Sequence, residues 1–209
     1  TTSLNAMICA SAIGFYGPDR GDEVLTEDSA RGEGFLADVV DAWEHACAPA
    51  AAAGKRVVNM RTGLVQSGNG GMLPLLRALF STGLGGAFGK GEMWYSWIAQ
   101  DDLQDMYVRA ALDPRWQGPI NAVSPNPVHN RDYVDALGSE LHRPTVIPVP
   151  SLGPALLLGK EGARELALAN QKVLPAKVEE LGHVFRYRKI EQALAHEVGG
   201  EELVDAPTH

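Results

Sequence analysis

The chain has 209 residues, with 18 basic and 26 acidic side chains, and the resulting formal charge of −8 disfavours a nucleic-acid partner. Hydrophobic residues at 45% and charged residues at 21% exclude a disordered chain and allow a substantial buried core. The longest apolar stretches, such as Ala46 to Ala53 and Ala155 to Leu158, fall far short of the roughly 20 residues needed to cross a bilayer, so no membrane association is expected. Cys9 and Cys47 lie 38 positions apart without C-x-x-C spacing, which reads as two reduced thiols in a cytoplasmic protein rather than zinc or redox chemistry. The opening Thr1-Thr2-Ser3-Leu4-Asn5 has neither a secretory pattern nor an initiator methionine, and the reading expects a fragment.

Met7 to Ile13 is an apolar run closed by Gly14 and Tyr16-Gly17-Pro18, the pattern of a buried strand leaving the core at its carboxyl end. Residues 18–34 are polar and glycine-rich and read as a loop. Phe35, Leu36, Val39, Val40, Trp43, Ala46 and Cys47 then recur at helical spacing, Gly54 stops the helix, and Lys55 to Arg61 is a second strand. A right-handed parallel crossover follows from that series. Met72 to Phe80 reads as helical. A loop with Gly83, Gly85, Gly86, Gly89 and Gly91 leads to Trp94-Tyr95-Ser96-Trp97-Ile98, and Asp101 and Asp102 open an amphipathic helix that ends before Pro114. Ile120 to Val123 is a strand, and Asn130 a helix cap ahead of Tyr133, Val134, Leu137 and Leu141.

From His142 the texture changes to the Pro-broken Arg143 to Pro150, an Ala/Leu-rich helix from about Ser151 to Ala169, a short helix near Lys177 to Leu181, a strand at His183 to Tyr187 and a last helix near Ile190 to His196. The division expected is residues 1–141 as one domain and 142–209 as a C-terminal α/β module.

Several signatures are missing. No G-x-G-x-x-G follows a strand, since Gly83-Leu84-Gly85-Gly86-Ala87-Phe88 has Phe88 at the last glycine position; Gly89-Lys90-Gly91 lacks the hydroxyl of a P-loop. The six histidines are scattered and no metal is assigned. Ser11 lacks the flanking glycines of a hydrolase nucleophile elbow.

Ala10-Ser11-Ala12-Ile13-Gly14-Phe15-Tyr16-Gly17, Arg61-Thr62-Gly63-Leu64-Val65, Trp97 to Leu103 and Asn121 to Val128 stand in an order that resembles the extended short-chain dehydrogenase/reductases. The similarity is to their atypical NAD(P)-dependent epimerase/dehydratase-like (nucleoside-diphosphate-sugar epimerase) branch and to its C-terminal two-thirds. The resemblance implies an α/β fold: the C-terminal part of a Rossmann-type parallel sheet with a small substrate-binding subdomain, residues 1–141 lacking the Gly-rich half. It implies NAD(P) as cofactor, NADP slightly favoured, and a nucleotide sugar or small hydroxy/carbonyl compound as substrate. A preceding segment or a partner chain is expected to cover the sheet.

Members of that family pair a serine or threonine with Tyr-x-x-x-Lys, the lysine cation lowering the phenol pKa. No tyrosine here has a lysine four residues on: Tyr16 is followed by Arg20, Tyr95 by Ala99, Tyr107 by Ala111, Tyr133 by Leu137 and Tyr187 by Glu191. With Glu44 aligned to the acidic residue usual on that helix, Leu36 and Val40 take the tyrosine and lysine positions. With Tyr16-Gly17 as anchor, Ala12 takes that of the hydroxyl. A non-catalytic NAD(P)-binding sensor or scaffold is therefore the alternative function.

The candidate catalytic residues are Ser11 and Tyr16, and the candidate cofactor contacts Ser11 and Arg61. Ser11 either bonds substrate or nicotinamide or satisfies a backbone group. Tyr16 either supplies a phenol, with Arg20, or packs in a turn. Arg61 either forks onto a phosphate or carboxylate or ties loops to Asp101 or Asp102. Lys90, Trp94 and Trp97 are the candidate substrate contacts: a cation for an anionic group and a stacking wall, against a solvated lysine and a packed aromatic cluster.

Overall fold

A computed structural model describes residues 5–83, 85–145 and 169–199. The chain builds a three-layer α/β arrangement around a parallel sheet of β1 (Ala6–Ala12), β3 (Arg56–Thr62) and β7 (Gly118–Ala122), in the order β1-β3-β7. The register runs Met7↔Val57 to Ala12↔Thr62 on one side of β3 and Val58↔Gly118 to Thr62↔Ala122 on the other. Parallel neighbours need crossovers, which α1 (Phe35–His45) and α2 (Ala48–Ala52) supply between β1 and β3. The helix read from 35 to 47 is thus broken near Cys47, with Pro49 in the first turn of α2, where its missing N–H costs nothing. Among the described strands β1 pairs with β3 alone, so it lies at the margin of the described sheet rather than inside it.

Three small pairings surround this sheet. β4 (Leu64–Gln66) runs parallel to β6 (Trp97–Ala99), β5 (Trp94–Tyr95) antiparallel to β8 (Val128–His129), and β2 (Asp19–Leu25) parallel to β9 (Asn170–Val173). β2 replaces the expected loop: its residues are polar, and only a partner about 150 positions away gives the backbone its ladder. Gly32 closes the following loop onto the turn at Ile13–Tyr16, where an added Cβ would lie 2.1 Å from the Tyr16 carbonyl oxygen.

α3 (Leu73–Ser81), α4 (Gln100–Leu112) and α5 (Asn130–Glu140) follow the expected periodicities. Asn130 is not the cap: His129 holds that position, and the Asn130 side chain accepts from Phe88 N at 2.8 Å. α6 (Ala176–Glu180) and α7 (Ile190–Val198) match the last two helices. His183 to Tyr187 is no strand, because the Arg186 and Tyr187 N–H groups are taken by the Asp102 carboxylate at 2.7 and 3.1 Å instead of a neighbouring ladder. The helix expected from Ser151 to Ala169 lies almost wholly outside the described residues.

The core joins early and late residues. Val58, Met60, Ile98, Met106 and Ile120 pack with Val178 and Phe185, and Leu73, Trp97, Tyr133 and Leu137 pack with Ile190 and Leu194. At roughly 1.5–3 kcal/mol per fully buried large apolar side chain, the described residues after 142 contribute to the same cores as those before it.

Candidate functional site

The carboxyl end of β1 delivers Ser11 and Tyr16 to the interior, β3 brings Arg61, and α1 brings Glu44. The Ser11 hydroxyl donates to Glu44 Oε1 at 2.7 Å, and Arg61 Nε and Nη2 fork onto the two Glu44 oxygens at 2.8 Å each. Arg61 Nη1 donates to the Tyr16 oxygen at 3.1 Å. The single Tyr16 hydroxyl hydrogen faces Asn121 Oδ1 at 2.7 Å and the Thr26 carbonyl at 3.0 Å. Asn121 passes the chain on through Nδ2 to the Leu174 carbonyl at 3.0 Å, and the Phe15 ring lies 3.5 Å from the guanidinium carbon. Ser11, Tyr16, Arg61 and Asn121 are all buried.

Electrostatics keep the Tyr16 phenol neutral and the Arg61 guanidinium charged. Burial pushes the Tyr16 phenol up, and Arg61 and Asn121 only partly offset it. Burial works against the Arg61 cation, but Glu44 and Tyr16 outweigh it and raise its pKa. Tyr16 is therefore a neutral phenol whose pKa moves away from that of a general base. Arg61 pairs with Glu44, not with Asp101 or Asp102 as its structural alternative expected, because α1 packs on β1 and the turn after it, and Ser11 of β1 lies in register with Arg61 of β3.

A second feature lies beside the network. A cleft of about 330 Å³ opens at the carboxyl ends of β1 and β3, lined by Ala12, Ile13, Gly14, Leu36, Val39, Val40, Trp43, Thr62, Gly63, Leu64, Trp94, Tyr95, Ser96, Ala169 and Gln171. Ala12, Leu36 and Val40, which the resemblance sets against the hydroxyl, phenol and ammonium of the usual relay, all line this cavity and are all apolar. Its polar side chains already have partners within the protein. Thr62 Oγ1 donates to the Met60 carbonyl, Ser96 Oγ to the Gln171 carbonyl, Gln171 Nε2 to the Ile13 and Gly17 carbonyls, and Trp94 Nε1 to Asp22 Oδ1. The Tyr95 side chain bonds Asn130.

The expected site residues thus divide. Ser11, Tyr16 and Arg61 are brought together, but none lines the cleft. Trp94 lines it, its ring tilted 34° against that of His129 with centroids 3.9 Å apart and Lys172 Nζ 4.3 Å from the Trp94 ring. Trp97 is fully buried, its Nε1 donating to the Asn126 carbonyl, so its ring is not a wall for ligand. Lys90 sits exposed in the turn ahead of β5, outside the cleft lining. Glu44, an alignment marker in the sequence, and Asn121 join the site only in the structure. Their signal is chemical: an acidic residue on an otherwise apolar helix face and an asparagine inside a strand both need buried partners. Asp102, expected as a helix start, is buried and holds the 186–187 backbone; burial raises its pKa against the opposing N–H donors.

For a dinucleotide, the fit is to one end. A cleft of about 330 Å³ sits at the small end of ligand pockets, enough for a flat ring and a small reactant, and Gly14 and Gly63 leave its floor without side chains. No loop in the chain has the glycine spacing that cradles a pyrophosphate. Among the described residues no group of three His, Cys, Asp or Glu is placed to hold a metal ion.

Comparison with known proteins supplies the lineage. Residues 149–197 match a domain of unknown function, DUF1731. An epimerase family protein of Mycobacterium bovis is 40% identical over 190 residues, 91% of this chain and 62% of the relative. Over nine tenths of its length the chain is thus similar to this epimerase family of short-chain dehydrogenase/reductases. The crystal structure of a nucleoside-diphosphate sugar epimerase from Corynebacterium glutamicum superposes with a TM-score of 0.81 at 52% identity, covering 98% of this chain and 40% of that one. Human epimerase family protein SDR39U1, solved with NADPH, gives a TM-score of 0.84 at 28% identity over 94% of this chain and 66% of its own. The chain therefore spans less than two thirds of the length of the first curated relatives it matches. The sheet is that family's Rossmann-type sheet, and no helix among the described residues is long and apolar enough to cross a membrane.

Proposed function

We propose that the chain is the substrate-side portion of an NAD(P)-binding protein of the epimerase family, with NADP favoured, whose cleft takes a small apolar hydroxy or carbonyl compound rather than a sugar. The cofactor class is supported by the human relative solved with NADPH and by the small ring-sized cleft at the carboxyl edge of the sheet. The observation that carries the substrate class is the lining. A sugar brings several hydroxyls, each of which costs about 1–3 kcal/mol if buried without a partner, and the donor hydrogens of Thr62, Trp94, Ser96 and Gln171 that would serve them are already engaged inside the protein. A bound nicotinamide would supply hydride chemistry; the chain's own part is to exclude water and orient the reactant between α1 and Trp94.

A second reading is favoured by Ala12, Leu36 and Val40. With no proton donor or acceptor at the three relay positions, the protein binds NADPH and turns nothing over, acting as a sensor or scaffold.

Titrating the full-length protein with NADPH, followed by cofactor fluorescence, tests both readings together, and absence of binding sinks them. Turnover is then assayed with UDP-glucose and with a C4 to C10 aldehyde series. Aldehyde-dependent oxidation of NADPH, with no epimerised or keto product formed from UDP-glucose when NADP+ is supplied, supports the first reading. Binding without turnover supports the second, and the Ala12→Ser, Leu36→Tyr, Val40→Lys triple variant would then gain activity if the missing relay is what silences it.

A further inference from the structure

We propose that Cys9 and Cys47 form an oxidisable dithiol, a modification site whose disulfide pins the end of the cleft helix to β1. Both are free cysteines, and the Cys47 sulfur lies 3.1 Å from that of Cys9. A disulfide bond is about 2.05 Å long, so about 1 Å of sulfur movement closes it. The sequence spacing of 38 conceals this approach, which arises because α1 turns back across β1, leaving Cys9 in mid-strand and Cys47 at the junction of α1 and α2.

The pair brackets the Ser11–Glu44 contact. Cys9 precedes Ser11 by two positions and Cys47 follows Glu44 by three, so a bridge fastens the helix that carries Leu36, Val39, Val40 and Trp43 into the cleft. Neither sulfur belongs to the hydrogen-bond network or lines the cavity. Cys47 is 5% exposed and Cys9 half-buried, so Cys9 meets an oxidant first.

With a peroxide as oxidant the step balances. The Cys9 thiolate attacks the peroxide, an S–O bond forms as the O–O bond breaks, and the departing hydroxide leaves as water. The Cys47 sulfur then attacks the Cys9 sulfur; the S–S bond forms, the S–O bond breaks, and a second water carries off the Cys47 proton. Two thiols lose two electrons and one peroxide becomes two waters. Burial, with Cys47 adding to it, pushes the Cys9 thiol up to about 11, so the closure is slow at neutral pH and quickens as the solution becomes more alkaline. This proposal does not depend on the function proposed above.

The test is peptide mapping of the full-length protein after hydrogen peroxide at pH 8.5, without reduction. Expected is the tryptic peptide holding Cys9 joined to the one holding Cys47, two hydrogen masses lighter than their sum and separated again by dithiothreitol, with Tm raised by roughly 5–15 °C for a loop of this length. Cys47→Ser removes both effects, and Cys9→Ser, changed at the other sulfur, does the same if the first variant folds poorly. Two peptides recovered as thiols, separate sulfinic acids, links between chains, or a link with unchanged Tm overturns the proposal.

Discussion

Arg61 of β3 and Glu44 of α1 form a forked ion pair at 2.8 Å, with Arg61 buried and Glu44 partly buried, extended by the Ser11 and Tyr16 hydroxyls. Removing one partner leaves the other charge desolvated. Arg61→Leu and Glu44→Leu are each expected to cost about 3–5 kcal/mol, whereas the double variant costs less than their sum, because a buried pair replaced by packed hydrocarbon loses little net stability. Urea unfolding of the two single variants and the double variant measures the coupling. Additive losses would mean that the two charges do not interact.

The loop after β2 rests on a close backbone approach. Gly32 donates to the Phe15 carbonyl at 3.0 Å, and a Cβ there would sit 2.1 Å from the Tyr16 carbonyl oxygen, inside contact distance of atoms that belong to backbone and cannot rotate away. Gly32→Ala therefore displaces the 13–17 turn and with it the Tyr16 hydroxyl. A loss of at least about 3 kcal/mol is expected, seen as a Tm drop of roughly 6 °C or more. Gly21→Ala in the same region meets no atom within 4 Å and, despite its φ of +55°, should cost about 1–2 kcal/mol.

What the sequence made legible is what short-range periodicity encodes. Phe35 to Cys47 and Lys55 to Arg61 announce a helix and a strand locally, and a strand, helix, strand series leaves a parallel crossover as the natural topology, which is what β1, α1 and β3 form. The missing pieces depend on distant partners. Asp19 to Leu25 has the composition of a loop and becomes a strand only through Asn170 to Val173, while His183 to Tyr187 alternates like a strand yet surrenders its N–H groups to Asp102. The same holds in the site. Ser11, Tyr16 and Arg61 were visible as polar residues at strand ends, but the carboxylate that joins Ser11 to Arg61 sits on another element, and the apolar cleft is defined by three side chains whose chemistry is an absence.

His183 sets an acid limit on stability. Its imidazole is buried between Trp116 and Phe185, with neither ring nitrogen hydrogen-bonded among the described residues and Asp105 3.9 Å away; Asp102 and Arg109 also bear on it. Burial, aided by Arg109, lowers its pKa below 6.5 against the two carboxylates. The folded state then binds fewer protons than the unfolded state, so the stabilising contribution is whole above about pH 6.5 and is lost as pH falls toward the depressed folded value. Asp102, with its folded pKa raised, works in the opposite direction at lower pH. Urea midpoints between pH 5 and 8 should fall on the acid side in the native protein and flatten in His183→Phe; equal slopes would remove His183 as the cause.

Tyr16 separates a reacting phenol from a positioning one. Its oxygen accepts from Arg61 and its hydrogen is shared by Asn121 and the Thr26 carbonyl, so Tyr16→Phe strands a buried guanidinium N–H and an amide oxygen. The loss expected is about 1–3 kcal/mol of stability, with Ser11→Ala smaller because Glu44 keeps its Arg61 fork. Since neither side chain lines the cleft, both variants should bind NADPH with unchanged Kd, and any turnover should keep its kcat and its pH profile. If Tyr16→Phe instead loses kcat by a hundredfold or more, with Tm and cofactor Kd intact, the phenol takes part in proton transfer and the cleft must rearrange to admit it.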